Sequence, residues 1–472
     1  MATEKNPNLN SVTTINRDGS HFKLQPSDAR GPFTLWRRIV GILLIVVYAG
    51  LPWIQINGYP AVFLDTASRR FHLMGITLAV QDLWLLFFLI SGLGFTLFFV
   101  TSLLGRIWCG WTCPYTVFLD QIFRQIERLI EGDGPARKRL DLAPSSPQKT
   151  IKRVVKHTLY ILCSAIIAHI FISYFVSIPK LYEFMQSNPS EHILSFGIVI
   201  FLTLVLYFCF AWFREQFCIV MCPYGRIQSA LSDDNTMVIG YDANRGEPKG
   251  KPKDPNAGDC IDCNRCVQVC PTGIDIRDGL QMECIGCAAC IDACDAIMTK
   301  LKRPRGLVRY DSHNGLEGKK TTIIRPRLIA YFALMMLGAA VLSFTLYKKA
   351  RSFSAQVNKM PGITFQSDAT GVRNIYQIHL FNKRNAEVAY DIHLKDAPEW
   401  LSTSGTVDNI ILQPLEEKTY TLVVAAPAEN YQGRFEFTLQ VQSRTDQSTV
   451  DSEVRFMGPS PKLYKKSLEE AK

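Results

Sequence analysis

The chain has 472 residues, 47% of them hydrophobic and 11% aromatic, with fourteen cysteines and a formal net charge of +10. That length allows several domains, and long apolar blocks exclude a disordered or fibrous chain. No basic face interleaved with aromatics points to a nucleic acid partner. Neither G-x-G-x-x-G after a strand nor G-x4-G-K-[ST] occurs, so nucleotide and flavin cofactors are not indicated.

Residues 1–34 form a polar, aperiodic segment expected to be flexible. A helix needs about 20 predominantly apolar residues to cross a bilayer core. Five stretches qualify, at 39–56, 83–105, 158–178, 193–213 and 327–347. The first four belong to a membrane domain over 35–235, and the fifth span is set at 326–348. Trp36, Trp53, Trp84, Trp108 and Trp212 fall near span ends, as an interfacial aromatic belt would. The segments 106–156 and 214–325 are rich in Lys and Arg, whereas the connection 179–192 carries only Lys180. The positive-inside rule therefore puts the basic segments and the N-terminus in the cytoplasm, and the tail beyond Lys348 in the periplasm. Arg69-Arg70 and Lys348-Lys349 run mildly against this and are outnumbered. The expectation is a multi-pass protein of a bacterial inner membrane, with its positive charge reporting topology and attraction to anionic lipid.

The second and fourth spans end in a repeated motif. One reads Arg106-Ile107-Trp108-Cys109-Gly110-Trp111-Thr112-Cys113-Pro114-Tyr115, the other Arg214-Glu215-Gln216-Phe217-Cys218-Ile219-Val220-Met221-Cys222-Pro223-Tyr224. Both contain C-x3-C-P-Y. Residues four apart share a helix face, and the following proline cannot continue the preceding helix, so the second cysteine marks a break or a new start. Two such hairpins side by side would gather four sulfurs, with Met221 close by. Soft thiolates and thioethers select Cu(I), zinc or iron–sulfur sites. The bland reading is a conformational device whose cysteines pack as small apolar groups. Its occurrence twice at equivalent depth favours a redox or metal role for Cys109, Cys113, Cys218 and Cys222. Cys163 and Cys209 read as packing residues. His169, inside the third span, is a candidate functional residue because ionisable groups at that depth are expensive.

The segment 236–312 carries eight more cysteines in two matching runs. They read Cys260-x2-Cys263-x2-Cys266-x3-Cys270-Pro271 and Cys284-x2-Cys287-x2-Cys290-x3-Cys294. This is the spacing by which bacterial ferredoxins hold cubane [4Fe–4S] clusters, the last cysteine of each run serving the other cluster. One cluster would take Cys260, Cys263, Cys266 and Cys294; the other would take Cys284, Cys287, Cys290 and Cys270. Zinc prefers two spaced C-x2-C pairs, and structural disulfides suit small secreted chains. Asp259, Asp262 and Asp292 read as solvated surface, with docking of a basic donor the weaker alternative.

From 353 to 460 the pattern turns to alternation at period two, at 374–380, 388–394, 419–424 and 435–441, between turn-forming clusters. About a hundred residues of this kind suit an immunoglobulin-like sandwich with Trp400 as a core anchor and no disulfide. All fourteen cysteines precede Asp295. His379 and His393 read as ordinary strand residues.

The twin C-x3-C-P-Y motifs, the two-cluster insert and the sandwich tail, in this order, resemble the CcoG (FixG/RdxA) family over essentially the whole chain. Tyr241-Asp242-Ala243-Asn244-Arg245-Gly246-Glu247-Pro248 and Val308-Arg309-Tyr310-Asp311 add to the resemblance. The membrane-plus-ferredoxin core alone is shared with NapH-like and NosR-like proteins, and the tail separates them. The resemblance implies a five-helix membrane bundle, a dicluster insert and an external sandwich. It also implies an accessory factor for cbb-type cytochrome c oxidase that reduces Cu(II) to Cu(I). Its partners would be membrane lipid, copper-handling proteins, the oxidase assembly machinery and a cytoplasmic electron donor; homo-oligomerisation stays open. Two other readings stand beside it. One is electron exchange with membrane quinone at His169, and the other is a redox-sensing assembly factor without turnover.

Overall fold

The computed structural model describes residues 23–470 except 57, 67–68, 79–83, 253, 280, 350–352, 363, 385 and 415, so most of the segment expected to be flexible, 1–22, lies outside the described residues. The described residues divide into two compact units, one holding nearly all of those up to 343 and the other mainly those from 344 onward.

Within the first unit, five helices are long and apolar enough to cross a membrane: Pro32–Gly50, Trp84–Leu104, Pro147–Ile172, Ile193–Phe213 and Pro326–Thr345. Their outward faces carry large apolar side chains such as Leu43, Phe87, Phe201 and Leu337, all exposed, which a bilayer would cover. The first helix begins at Pro32, earlier than its apolar stretch at 39. Proline suits the first helical turn, and the Asp292 carboxylate accepts from the backbone N–H groups of Phe33 and Thr34 (3.3 and 2.7 Å) and the Thr34 hydroxyl (2.7 Å). The third helix likewise starts at Pro147, where the Ser146 hydroxyl accepts from the Lys149 N–H. Its polar first turns carry Lys156 into a buried pair with Glu131 at 2.7 Å. The third and fourth helices pack around Phe123, Tyr160 and Phe210, with Phe123 stacked on Phe210 at 4.4 Å. The fourth helix stops at Arg214, whose φ of 46° is left-handed.

Strands Val238–Tyr241 and Val308–Asp311 pair antiparallel and bracket the cysteine-rich insert. The link 246–255 packs on it, since Gly250 N–H donates to the Cys260 carbonyl at 3.1 Å. Residues 23–31 follow a defined path rather than a free one, with Ser27 N–H donating to the Gln268 carbonyl at 2.7 Å.

The second unit is a sandwich. One sheet orders Ser402–Ser404, Glu417–Pro427, Gly371–Asn382 and Phe353–Lys359, with Gln366–Asp368 on a branch; the other orders Ile410–Leu412, Val388–Lys395, Phe435–Ser443 and Thr449–Phe456. Alternate residues of Gly371–Asn382 and Phe435–Ser443 are buried, as period two requires. Tyr376, Tyr390, Phe437 and Phe456 fill the centre. Trp400 is only half-buried and meets Phe435 edge-on at 5.7 Å; it closes the margin rather than anchoring the core. His379 accepts or donates one hydrogen bond with Thr419 at 2.8 Å, and His393 is exposed opposite Gln440.

Candidate functional site

Both cysteine runs adopt the same loop. Asp262 and Asn264 flank Cys263 with φ of 51° and 54°, and Gly286 and Ala288 flank Cys287 with φ of 67° and 59°. Left-handed residues on both sides of the middle cysteine curl each run tightly. Beside the first three cysteines of each run stands the last cysteine of the other run, and Cys260, Cys263, Cys266 and Cys294 line one cavity. Cys294 is within electrostatic reach of Cys260, Cys263 and Cys266, whereas Cys284, Cys287 and Cys290 are within reach of Cys270. Cys290 also feels Cys266, so the two groups adjoin. Cys290 and Cys294 lie one turn apart on the helix Ala289–Lys300, which both groups therefore share.

This donor set fits two cubanes. Burial pushes the Cys284 and Cys294 thiols up to about 12 and the Cys266 thiol to about 11. Positive iron charge is what would hold such thiols as thiolates. Among the described residues, no three His, Cys, Asp or Glu side chains are already grouped to hold a single metal ion. Ligands at the corners of a cube stand further apart than ligands of one ion, so this counts against a preformed mononuclear centre and not against a cubane.

The twin motifs fold alike and interlock. In each, the second cysteine caps a helix with proline at its first position, Pro114–Phe118 after Cys113 and Pro223–Leu231 after Cys222. In each, its N–H donates to the carbonyl five residues back, Trp108 at 2.9 Å and Phe217 at 2.8 Å. The tyrosines cross over: the Tyr115 hydroxyl donates to the Cys209 and Arg214 carbonyls of the fourth span's end (2.9 and 2.6 Å), while Tyr224 bonds Thr101 of the second span at 2.7 Å. The four thiols are thereby brought into one neighbourhood, with Cys218 in electrostatic reach of Cys109, Cys113 and Cys222, although they are not drawn close enough to grip one metal ion as they stand. Burial pushes Cys109 up to about 12 and Cys218 higher still, and Arg106 draws both down in part.

This quartet sits against the second run. Cys109 packs with Ile285 and Cys287, and the Trp111 indole donates to the Gly286 carbonyl at 3.2 Å. A Cβ on Gly110 would stand 2.6 Å from the Ile285 carbonyl oxygen, so only glycine permits this approach. The Arg106 guanidinium joins all three parts, donating to Gln228, to the Met282 carbonyl and, at 2.6 Å, to the Gly225 carbonyl.

Sequence patterning did not expose the ion network beneath the site. Glu127, fully buried, binds Arg137 and Arg214, both at 2.6 Å. Burial alone would raise its carboxyl, but Arg214, Lys23 and Arg137 hold it well below the usual carboxylate range. The acids near the clusters are also partnered: Asp259 with Arg245 (2.6 Å), Asp262 with Arg277 (2.5 Å), and Asp292 with the first helix's N-terminus. Asp292 is buried, which removes it from the solvated surface. Cys163 and Cys209 are half-buried, and Cys163 packs against the apolar cluster around Phe123, Tyr160 and Phe210. His169 bonds its own helix at the Ala165 carbonyl (2.7 Å) and lines an apolar cavity with Phe175, Phe184 and Leu202. It lies thirteen residues beyond Lys156, about 20 Å along the helix away from the cysteines.

Residues 213–313 match the family model of a 4Fe-4S dicluster domain, residues 84–132 that of a 4Fe-4S binding domain, and residues 344–459 that of the IG-like fold at the C-terminus of FixG. The nitrogen fixation protein FixG of Rhizobium meliloti is 36% identical over 408 residues, covering 76% of each chain. This chain belongs to the FixG/RdxA family. Protein RdxA of Cereibacter sphaeroides is also 36% identical, over 76% of this chain and 79% of its own. A FixG-related protein from Vibrio parahaemolyticus of known structure aligns over 23% of this chain at 16% identity, with a TM-score of 0.20, too low to carry an argument. Family and architecture together make this an iron–sulfur electron-transfer protein with helices suited to a membrane.

Proposed function

We propose that the protein is a cupric reductase of the CcoG type, which accepts single electrons from a cytoplasmic donor and converts Cu(II) to Cu(I) for assembly of a cbb-type cytochrome c oxidase. The observation that carries this reading is the convergence of Cys109, Cys113, Cys218 and Cys222, from two separate helix ends, on one neighbourhood where Cys109 packs against the Cys287 loop; binding copper would draw the four sulfurs together. Soft sulfur ligands stabilise Cu(I) over Cu(II), so copper held there is drawn towards the reduced state. Met221, exposed beside Cys222, adds a thioether at the edge of the quartet. The step is balanced by one electron: Cu(II) becomes Cu(I), the donor loses one electron, and the thiols only release their protons to water as they take up the metal. Two [4Fe–4S] clusters on Cys260, Cys263, Cys266 and Cys294 and on Cys284, Cys287, Cys290 and Cys270 would supply one-electron storage. The chain's own task is positional. Arg106 fixes both arms to the second run, Gly110 lets the backbones touch, and the crossed tyrosines hold the quartet together. The basic segments and the cysteine-free tail support a cytoplasmic site and a periplasmic sandwich.

The test is copper reduction by anaerobically purified protein. Cys109→Ala with Cys218→Ala should lose it and keep the paramagnetic signals of both cubanes. Retained reduction in that variant rejects the assignment. The match of residues 84–132 to a 4Fe-4S binding model favours one rival, a further iron–sulfur centre on the quartet. A metal count separates them: about eight irons plus bound copper supports the reductase, and iron beyond two four-iron cubanes supports the rival.

A further inference from the structure

At the foot of the first helix, on the cysteine side of the bundle, a cavity is lined by Arg37, Arg38, Arg124, Arg128 and Arg137. Only Asp28 and Asp120 oppose them on its walls. One wall is the strap Pro26–Ala29, and the floor is formed by Val269 and Pro271, next to Cys270, and by Ala289, next to Cys290. The guanidinium groups are held rigidly. Arg37 and Arg124 both bind Asp120, Arg128 binds Asp28 at 2.9 Å, and Arg137 donates to the Pro26 carbonyl at 2.9 Å. Arg124 and Arg137 are also anchored from behind, by Glu215 and by Glu127 (2.6 Å) respectively, so the accessible donors are those of Arg38, which is exposed, and of Arg128. Arg38 pairs with no carboxylate among the described residues. Above the cavity the first helix presents Leu35, Trp36 and Ile39, all exposed, the level at which a bilayer interface would lie.

Excess guanidinium charge, unused planar donors and an interfacial position call for one ligand chemistry, a tetrahedral oxyanion bound by arginine forks. We propose that this cavity binds a phosphate group, carried by an anionic phospholipid of the adjoining leaflet or free in solution, and that the bound charge tunes the electron affinity of the centre on Cys270, Cys284, Cys287 and Cys290. The binding half stands alone; the tuning half rests on the two-cluster reading. Arg37 and Arg124 are within electrostatic reach of Cys287, so neutralising them with an anion removes positive field from that group. Reduction there becomes harder, and its midpoint potential falls.

The experiment uses the full-length protein, delipidated in detergent. It is titrated with inorganic phosphate and separately placed in phosphatidylcholine nanodiscs with and without phosphatidylglycerol. Bound phosphorus and the cubane midpoint potentials are read on each sample. Arg38→Gln with Arg128→Gln is the cavity variant. Lys138→Gln with Arg139→Gln removes the same charge from an exposed surface outside the cavity. Saturable retention of phosphatidylglycerol assigns the lipid source, and saturable binding of inorganic phosphate assigns the solution source. In either case affinity should drop about thirty-fold in the cavity variant and stay unchanged in the surface variant, at the usual scale for two basic contacts to a lipid surface. One midpoint should fall on binding in the wild type only. No saturable binding of either ligand, or equal loss in both variants, overturns the site. Binding without any midpoint change overturns the tuning and leaves the site. Normal binding by a preparation lacking cubanes points to failure of the cluster reading instead.

Discussion

Gly110→Ala tests the junction between the membrane-end quartet and the second cysteine run. The added Cβ would sit 2.6 Å from the Ile285 carbonyl oxygen and 2.9 Å from both the backbone N and Cα of Cys287, where ordinary contact begins at 3.4 Å. All three neighbours are backbone, so no side chain can swing away, and the loop must retreat by up to about 0.8 Å. Overpacking of this size costs about 1–3 kcal/mol, which displaces the docked loop by about 5- to 150-fold in equilibrium. The Arg37 Nε bond to the Gly110 carbonyl, 2.5 Å, pins the other side and prevents an easy slide. Gly197→Ala is the control, since a Cβ there meets nothing within 4 Å. Electron paramagnetic resonance and copper reduction are measured on both. The Gly110 variant should lose or shift the signal of the Cys284-Cys287-Cys290-Cys270 centre, keep that of the other centre, and reduce copper more slowly. Wild-type spectra and rates in the Gly110 variant would refute the contact as drawn.

Glu127→Gln leaves the buried Arg214 and Arg137 facing a neutral group, and removing one partner of such a set costs about 3–5 kcal/mol; the fraction surviving a heat challenge in detergent should fall accordingly. The Glu127 carboxyl is depressed when folded, so its stabilisation is present above about pH 4 and is lost as the pH falls from there through its lower folded value. Stepwise acidification below about pH 4 should therefore erode the stability of the wild-type bundle progressively, while the Gln variant shows no such acid step. Asp292→Ala removes three hydrogen bonds at the start of the first helix and should cost about 0.5–2 kcal/mol, visible as faster amide exchange at Phe33 and Thr34. In cluster-free protein Cys263, the exposed thiol, should react with maleimide before the buried Cys109, Cys260, Cys266 and Cys287; equal rates would contradict the loop.

Local pattern was enough for much of this. Apolar length marked five helices and period-two alternation marked the long strands, because both are set by neighbours in sequence. The equal spacing of the two runs and of the C-x3-C-P-Y pair likewise survives in one dimension. Helix starts were less legible. Pro32 opens the first helix under a cap from Asp292, which is 260 residues distant, and no local signal announces such a partner. Trp400 misled because aromatic size suggests a core place, while Tyr376 and Tyr390 occupy it. Glu127, Arg214 and Arg106 gave no pattern at all, being single charges whose meaning depends on long-range contacts. Asp292 looked like surface for the same reason.

Crossed tyrosines make the two arms a clasp whose halves cannot be opened separately. Each hydroxyl fastens to the opposite arm, so weakening either anchor loosens sulfur atoms on both sides at once. Substitutions of Tyr115 and Tyr224 should then combine to less than the sum of their separate effects, as expected for parts that fail together. Such a device also gives the duplicated hairpins a reason to remain alike: divergence of one would need a matching change in its twin.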